Sequence, residues 1–200
     1  MLGAAGLSHE LFGERLFPVG TVYDPFIARG LDAMNYACYQ DARFMLAGTP
    51  SGISLAPEGG AHQSIGTPLI GISQPGLLSF EPAFADELSV IMNYGFEYLQ
   101  MENGGSVYLR LSTRSIDQPN REVDEKLKSN ILKGGYWLKN PGPNPQVIIV
   151  YQGVVANEVI KATAILGEKF KDIGVLSVTS SDNLFHEWKN TSSNFSSQKT

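Results

Sequence analysis

The sequence is poor in cysteine, in basic charge and in long apolar runs. Cys38 is the single cysteine, so no disulfide can form within the chain, which suits a reducing compartment. No stretch approaches the ~18 apolar residues of a membrane-spanning helix, and residues 1–6 are too short for a secretory signal. With 20 acidic and 15 basic residues, the net charge of −5 gives no electrostatic footprint for nucleic acid. We therefore predict a cytoplasmic protein that binds neither membrane nor nucleic acid.

Several catalytic motifs are absent as well. The sequence contains no GxGxxG, no Walker loop, no HExxH and no CxxC, so it lacks the signatures of dinucleotide, nucleotide, zinc-protease and dithiol sites. What it does contain is apolar material, with 42% hydrophobic and 10% aromatic residues in a chain of 200. That is enough to build one domain, or one domain and part of another.

Strand and helix patterns alternate through the first half of the chain. Strands are predicted at residues 17–23, 43–48, 69–72 and 106–112. Helices are predicted after Asp24-Pro25, a typical helix start, and from Phe80 to Leu99, where apolar residues recur at steps of three and four. This alternation predicts an α/β domain with a parallel sheet over residues 1–112.

The second half begins with a polar stretch. Residues 113–143 have no clear period and contain Pro119 and Pro141, which predicts an irregular linker. A continuous apolar strand at 146–151, a helix from Val155 to Phe170 and a strand at 174–179 then form one βαβ unit. We predict a partial second α/β domain over residues 144–200, and we expect the chain to be a piece of a longer protein.

A polar, glycine-rich loop lies between the two helices of the first half. Residues 55–71 read LAPEGGAHQSIGTPLIG, and the pair Gly59-Gly60 favours neither a helix nor a strand. Glycine lets a backbone approach a ligand closely, and His62 can exchange a proton near neutral pH. The loop should follow a strand, at the carboxyl edge of the sheet where ligands bind in α/β folds. The same residues are also compatible with a solvated turn in which His62 has no function.

Two aromatic residues are expected near this loop. Tyr23 and Phe26 follow the first strand and could either join the core or stack on a flat heterocycle. A triad of Ser64, His62 and Asp24 is conceivable, but no nucleophile-elbow sequence supports it. His62 with Glu58 lacks a third metal ligand, so we assign no metal site.

Three parts of the sequence carry a family resemblance. The loop EGGAHQSIGTP resembles the histidine-bearing loop of the thiamine-diphosphate-dependent transketolase superfamily. The segments VYDPFIARGLDAMNYACYQDARF and SFEPAFADELSVIMNYGFEY resemble the pyrimidine-binding domain of the homodimeric 2-oxoacid dehydrogenases, the decarboxylating components of pyruvate dehydrogenase complexes. KGGYWLKN, QVIIVYQGVVANEVIKATAIL and VLSVTSSDNLFHEW are similar to the start of their C-terminal domain. The resemblance extends from about Met1 to Trp188.

The resemblance implies a cofactor, a reaction and site residues. Thiamine diphosphate would be the cofactor, with Tyr23 and Phe26 packing on its aminopyrimidine ring and with Mg²⁺ held by ligands outside this chain. His62 would be the catalytic residue, and Glu58, His62 and Gln63 would contact the substrate. The implied reaction, linked to glycolysis, is oxidative decarboxylation of a 2-oxoacid such as pyruvate. The acyl group would go to the lipoyl group of a partner acyltransferase, and the full-length enzyme would be a homodimer.

Two departures from the family pattern bear on the substrate and on activity. Pro57 and Gly59 stand where the family has a histidine and an aspartate, so the substrate can differ from pyruvate. The glutamate that activates the pyrimidine ring lies, in the family, upstream of the position that corresponds to Met1. We therefore expect this chain to be inactive by itself.

Two alternative functions remain open from the sequence. A transketolase, which moves a two-carbon ketol unit between sugar phosphates, would need a basic subsite. Arg29, Arg43 and Arg110 are the candidates, although their positions in a helix and in strands suit ion pairs better. The other alternative is a non-catalytic α/β interaction module.

Overall fold

Four parallel strands form the sheet of the N-terminal half in the computed structural model, which describes residues 1–197. The strands are β1 (Val19–Val22), β2 (Met45–Gly48), β3 (Leu77–Phe80) and β4 (Ser106–Arg110). Their order across the sheet is β1-β2-β4-β3, and every neighbouring pair is parallel. The predicted α/β fold with a parallel sheet is confirmed.

Helices pack on both faces of this sheet. They are α1 (Leu2–Gly6), α2 (Ser8–Phe12), α3 (Leu31–Tyr39), α4 (Pro68–Ser73) and α5 (Ala85–Tyr98). Successive residues of a strand point to opposite faces, so Met45 and Ala47 join one hydrophobic cluster while Leu46 joins the other. Ile91 of α5 packs in the first cluster and Met34 of α3 in the second. The central strands β2 and β4 are therefore buried along their whole length.

The C-terminal half forms a smaller, mixed sheet. Its strands are β5 (Gly135–Lys139), β6 (Ile148–Gln152) and β7 (Gly174–Val178), in the order β5-β7-β6. β6 is parallel to β7 and β5 is antiparallel to it. α6 (Glu125–Lys133) precedes β5, α7 (Ala156–Leu166) connects β6 to β7, and α8 (Ser181–Ser197) follows β7. The predicted βαβ unit is thus confirmed as β6-α7-β7.

Two local predictions from the sequence are wrong. Residues 69–72 are helical and belong to α4, not to a strand, because Pro68 occupies the first helical turn, where its missing N–H costs nothing. Residues 125–139 are ordered as α6 and β5, whereas the polar composition predicts a linker. The Asp124 carboxylate caps α6 by accepting a hydrogen bond from the Leu127 N–H at 2.7 Å, and Gly134, at φ 112°, ends the helix. Within the predicted linker of residues 113–143, helix and strand are lacking at residues 113–124, at Gly134 and at residues 140–143. The division into domains at 1–112 and 144–200 stays a prediction.

The two helix boundaries of the first half also differ from the predicted ones. The helix start at Asp24-Pro25 is a 3-10 helix, Asp24–Arg29, which leads into α3. The second helix begins at Ala85 and not at Phe80, because Phe80 is the last residue of β3 and residues 81–84 lie outside helix and strand. The polar loop contains two short 3-10 helices, Gly52–Glu58 and Gly60–His62, joined at Gly59 with φ 109°. Within residues 1–197, no helix combines the length and apolar character needed to cross a membrane.

A buried polar network ties the two sheets together. Glu87, in the first turn of α5, accepts a hydrogen bond from the Tyr136 hydroxyl of β5 at 2.5 Å. Its other carboxylate oxygen accepts from the backbone N–H groups of Ala83 and Phe84 at 2.6 and 3.1 Å. Arg121 donates to the Tyr136 hydroxyl at 2.8 Å. Burial raises the pKa of Glu87 more than these hydrogen bonds lower it.

We expect Tyr136→Phe to lower the free energy of unfolding by about 1–3 kcal/mol, because it leaves one oxygen of the buried Glu87 carboxylate without its donor. Urea unfolding followed by circular dichroism measures the change. The matched control is Tyr36→Phe, which alters an exposed phenol and should leave the midpoint unchanged. Equal midpoints for the two variants would contradict the assigned role of this network.

Candidate functional site

The site lies at the carboxyl ends of β1 and β2. Tyr23 follows β1 directly, and the 3-10 helix that begins at Asp24 carries Phe26. The two rings meet edge to face, with centroids 5.4 Å apart and planes at 89°. The guanidinium of Arg29 lies 4.7 Å from the centroid of Phe26. Phe26 remains 48% exposed, so part of its ring is free to contact a ligand.

The polar loop brings its carboxylate and its histidine to Tyr23. The Tyr23 hydroxyl donates to Glu58 Oε2 at 2.8 Å and lies 2.9 Å from His62 Nδ1. Glu58 Oε2 is 3.8 Å from the same His62 nitrogen. Four of the five residues predicted from the sequence, Tyr23, Phe26, Glu58 and His62, therefore form one cluster.

With Glu58 ionised, the hydrogen-bond pattern assigns a tautomer to His62. A phenol has one hydrogen, and an ionised carboxylate can only accept. Tyr23 therefore donates to Glu58, and the Nδ1–H of His62 donates to the Tyr23 oxygen. In this neutral tautomer the second ring nitrogen, Nε2, carries no hydrogen and is free to accept one. Partial burial, together with the hydrogen bond to Glu58 and its negative charge, raises the pKa of the Tyr23 phenol, which keeps this donor protonated.

The fifth predicted residue, Gln63, follows His62 at the end of the second 3-10 helix. Its backbone N–H donates to the Gly60 carbonyl at 3.2 Å. In the part of the chain that the structure describes, no hydrogen bond joins the Gln63 side chain to the cluster. The conceivable Ser64-His62-Asp24 triad is not assembled, because the Asp24 carboxylate bonds to Thr67, Tyr108 and Arg110 instead.

A buried charge network beneath the cluster was not predicted from the sequence. Arg110, at the end of β4, donates to Glu81 Oε2 at 2.5 Å and to Asp24 Oδ2 at 3.4 Å. All three side chains are largely buried. Burial raises the pKa of Glu81 against the lowering effect of the Arg110 charge. Arg43 pairs with Asp41 at 2.9 Å, so Arg110 and Arg43 both form the ion pairs that their positions suggest.

A groove lies between the 3-10 helix of residues 24–29 and the histidine-bearing loop. It has a volume of about 330 Å³ and is mostly apolar. Its walls are formed by Pro25, Ala28, Leu31, Ala61, Ser64, Gly66, Thr67 and Ile70. The 3-10 helix that carries Phe26 thus forms one wall and the histidine-bearing loop forms the other.

Comparison with known proteins identifies the relatives of this chain. The pyruvate dehydrogenase E1 component of Buchnera aphidicola is 32% identical over 182 residues, which are 88% of this chain and 20% of that protein. Transketolase 2 of Aliivibrio fischeri is 27% identical over 165 residues, 82% of this chain and 24% of that protein. The homologues of this chain are pyruvate dehydrogenase E1 components and transketolases. No family model matches the chain.

The fold agrees with these relatives. The transketolase of Leishmania mexicana matches 84% of this chain with a TM-score of 0.71, at 20% sequence identity, over 24% of its own length. The chain spans about a fifth of the length of the curated pyruvate dehydrogenase E1 components that it matches. The resemblance inferred from the sequence is confirmed at the level of relatives and fold.

The cluster presents an aromatic surface that is accessible to a ligand. A half-exposed phenylalanine ring with a tyrosine at its edge suits a flat heterocycle that stacks on an aromatic face. Among residues 1–197, no group of three or more histidine, cysteine, aspartate or glutamate side chains is arranged to hold a metal ion.

We expect Arg110→Met to lower the free energy of unfolding by about 3–5 kcal/mol, because removal of the cation leaves two buried carboxylates without compensation. Guanidinium unfolding of the purified variant measures the loss. Arg114→Met is the control, since Arg114 pairs with Glu158 at the surface and its loss should change little. A small effect for Arg110→Met, similar to that of the control, would contradict the importance of the buried network.

Proposed function

We propose that this chain forms the pyrimidine-binding side of a thiamine-diphosphate site in a 2-oxoacid dehydrogenase of the pyruvate dehydrogenase E1 type. The full-length enzyme would decarboxylate a 2-oxoacid such as pyruvate oxidatively and transfer the acyl group to the lipoyl group of a partner acyltransferase. The observation that carries the proposal is the Tyr23–Glu58–His62 cluster beside Phe26 at the carboxyl edge of the sheet. It occurs in a chain whose homologues include pyruvate dehydrogenase E1 components.

The aromatic residues would hold the cofactor ring. When bound, thiamine diphosphate supplies the electron sink that 2-oxoacid decarboxylation requires. Phe26 would offer its exposed ring for stacking, and Tyr23, fixed through its hydroxyl by Glu58, would keep Phe26 in place through the edge-to-face contact. The ligands for the diphosphate and for Mg²⁺ would lie outside these 200 residues. A homodimer is the expected assembly, and the chain by itself is expected to be inactive.

His62 would act on the substrate. Because Nδ1 is engaged with Tyr23, Nε2 is the nitrogen left for the substrate, and in the doubly protonated imidazole it would donate a hydrogen bond or a proton to the substrate oxygen on which negative charge develops. The imidazole is 44% exposed and the Glu58 side chain 55% exposed, so both are accessible to a ligand. Gln63, next in sequence, is proposed to contact the substrate together with Glu58.

Transketolase activity is the second candidate function. Transketolase 2 of Aliivibrio fischeri is among the relatives, and ketol transfer would use the same cofactor. Such an enzyme needs free cations for a sugar phosphate, and Arg110 and Arg43 are engaged in ion pairs. Arg29, beside Phe26, is the remaining basic candidate. These ion pairs favour the 2-oxoacid dehydrogenase.

We expect His62→Ala, in the full-length protein, to lower kcat for 2-oxoacid decarboxylation by on the order of 10²–10³, because the loss of one donor to developing charge typically has that effect. Cofactor affinity should not change. Steady-state kinetics with a cofactor titration measure both quantities. His9→Ala, on an exposed residue of α2, is the control. Near wild-type turnover for His62→Ala would contradict the proposed role and would mean that His62 is a solvated loop residue without a catalytic function.

We expect Phe26→Ala, in the full-length protein, to weaken thiamine diphosphate binding by roughly two- to tenfold, because an aromatic contact contributes about 0.5–1.5 kcal/mol beyond area burial. Isothermal titration with the cofactor and Mg²⁺ measures the dissociation constant. Phe12→Ala removes another exposed phenylalanine ring and should leave it unchanged. Identical affinities for wild type and Phe26→Ala would mean that Phe26 is not part of the cofactor site.

A further inference from the structure

We propose that Asp24 is a positioning residue that fixes the aromatic turn (residues 23–26) against the histidine loop (residues 52–67). The proposal rests on the proposed function for its consequence in catalysis, but its structural part stands separately. Asp24 is fully buried. It lies between the site residues Tyr23 and Phe26 and touches neither His62 nor the groove directly.

One carboxylate joins three separate segments. Oδ2 of Asp24 accepts a hydrogen bond from the Thr67 hydroxyl at the end of the histidine loop, at 2.9 Å. Oδ1 accepts from the Tyr108 hydroxyl of β4 at 3.1 Å. Arg110, also of β4, lies 3.4 Å from Oδ2. The aromatic turn, the histidine loop and the central strand of the sheet therefore meet at this side chain.

Helix capping does not explain this aspartate. Asp24 begins a 3-10 helix, yet the start of that helix has no side-chain cap. All the partners of its carboxylate lie in other segments, 43 to 86 residues away. A buried carboxylate without partners costs several kcal/mol, so its burial is sustained by these long-range contacts and by no local need.

The neighbouring backbone makes room for this carboxylate. A Cβ atom on Gly48, the last residue of β2, would lie 2.8 Å from Asp24 Oδ1 and 3.1 Å from the Tyr108 hydroxyl oxygen. Separations below 3.0 Å are not tolerated without a shift, so a larger residue at 48 would displace the Asp24 carboxylate.

The buried contact complements the weaker contacts at the surface. The Tyr23 hydroxyl also makes side-chain hydrogen bonds from the aromatic turn to Glu58 and His62 of the histidine loop. The Glu58 and His62 side chains are about half exposed. Water competes for those groups. The Asp24–Thr67 hydrogen bond is shielded, because both residues are buried. It is therefore the shielded link that holds the aromatic turn against the histidine loop.

The test uses Thr67→Val, which removes the hydroxyl and keeps the branched shape, and Asp24→Asn, which removes the charge. The readout is the long-range ¹H–¹⁵N NMR spectrum of the histidine side chains in the 200-residue chain, with His62 assigned from the His62→Ala spectrum. The wild-type His62 should show one tautomer, protonated at Nδ1. Both variants should shift His62 towards the mixed tautomers of a free imidazole, with His9 and His186 unchanged.

Glu87→Gln is the matched control, because Glu87 is an equally buried carboxylate with a tyrosine partner in a separate network. It should destabilise the chain and leave the His62 signals unaltered. Unchanged His62 signals in a folded Thr67→Val variant would overturn the proposal, even if Asp24→Asn does not fold. So would the same His62 change in Glu87→Gln as in Thr67→Val.

The kinetic arm separates this inference from the proposed function. In the full-length protein, Thr67→Val should lower kcat by on the order of tenfold with little change in KM, because misplaced groups lose rate in the chemical step. If His62→Ala abolishes decarboxylation while Thr67→Val leaves both kcat and the His62 spectrum unchanged, the positioning inference fails and the proposed function stands. If the spectrum changes as expected but the wild type decarboxylates no 2-oxoacid, the proposed function fails and the structural role of Asp24 stands.

Discussion

The buried guanidinium of Arg110 is the interaction on which the site depends. It bridges Glu81, at the end of β3, and Asp24, at the start of the aromatic turn. Two carboxylates buried side by side would repel each other, and each would lose its hydration. The cation between them makes their burial feasible. It thereby holds the ends of two strands and the aromatic turn at the same carboxyl edge.

Phe26, Glu58 and His62 of the cluster are about half exposed, whereas Asp24 and Arg110 of the network are buried. Tyr23 and Phe26 stand on the turn that Asp24 fixes, and Glu58 and His62 reach Tyr23 from a loop of two short 3-10 helices. A binding site needs accessible side chains that are supported by buried contacts, because supported side chains keep their geometry when the ligand binds. The relatives of the chain indicate which ligand chemistry to expect there.

The sequence predicted the residues of the exposed cluster and missed the buried charge network. Tyr23, Phe26, Glu58 and His62 lie next to turn signals and strand ends, so local patterns made them candidates, and the family resemblance gave them their proposed roles. Thr67 and Tyr108 were missed because their partner, Asp24, lies 43 and 84 residues away, and no local pattern reports such pairing. The apolar residues 69–72 fit a strand or a helix equally well. Tertiary packing decides for the helix, since Gly71 lies so close to Ser79 of β3 that no Cβ would fit.

The measurement that tests the account most directly is carbon dioxide release by the full-length protein across a panel of 2-oxoacids, with and without thiamine diphosphate and Mg²⁺. The account predicts release from pyruvate or a closely related 2-oxoacid that depends on both additions. Two-carbon transfer between sugar phosphates, with no decarboxylation of any 2-oxoacid, would contradict it in favour of a transketolase. No activity of either kind would contradict the assignment of a catalytic site to the Tyr23–Glu58–His62 cluster.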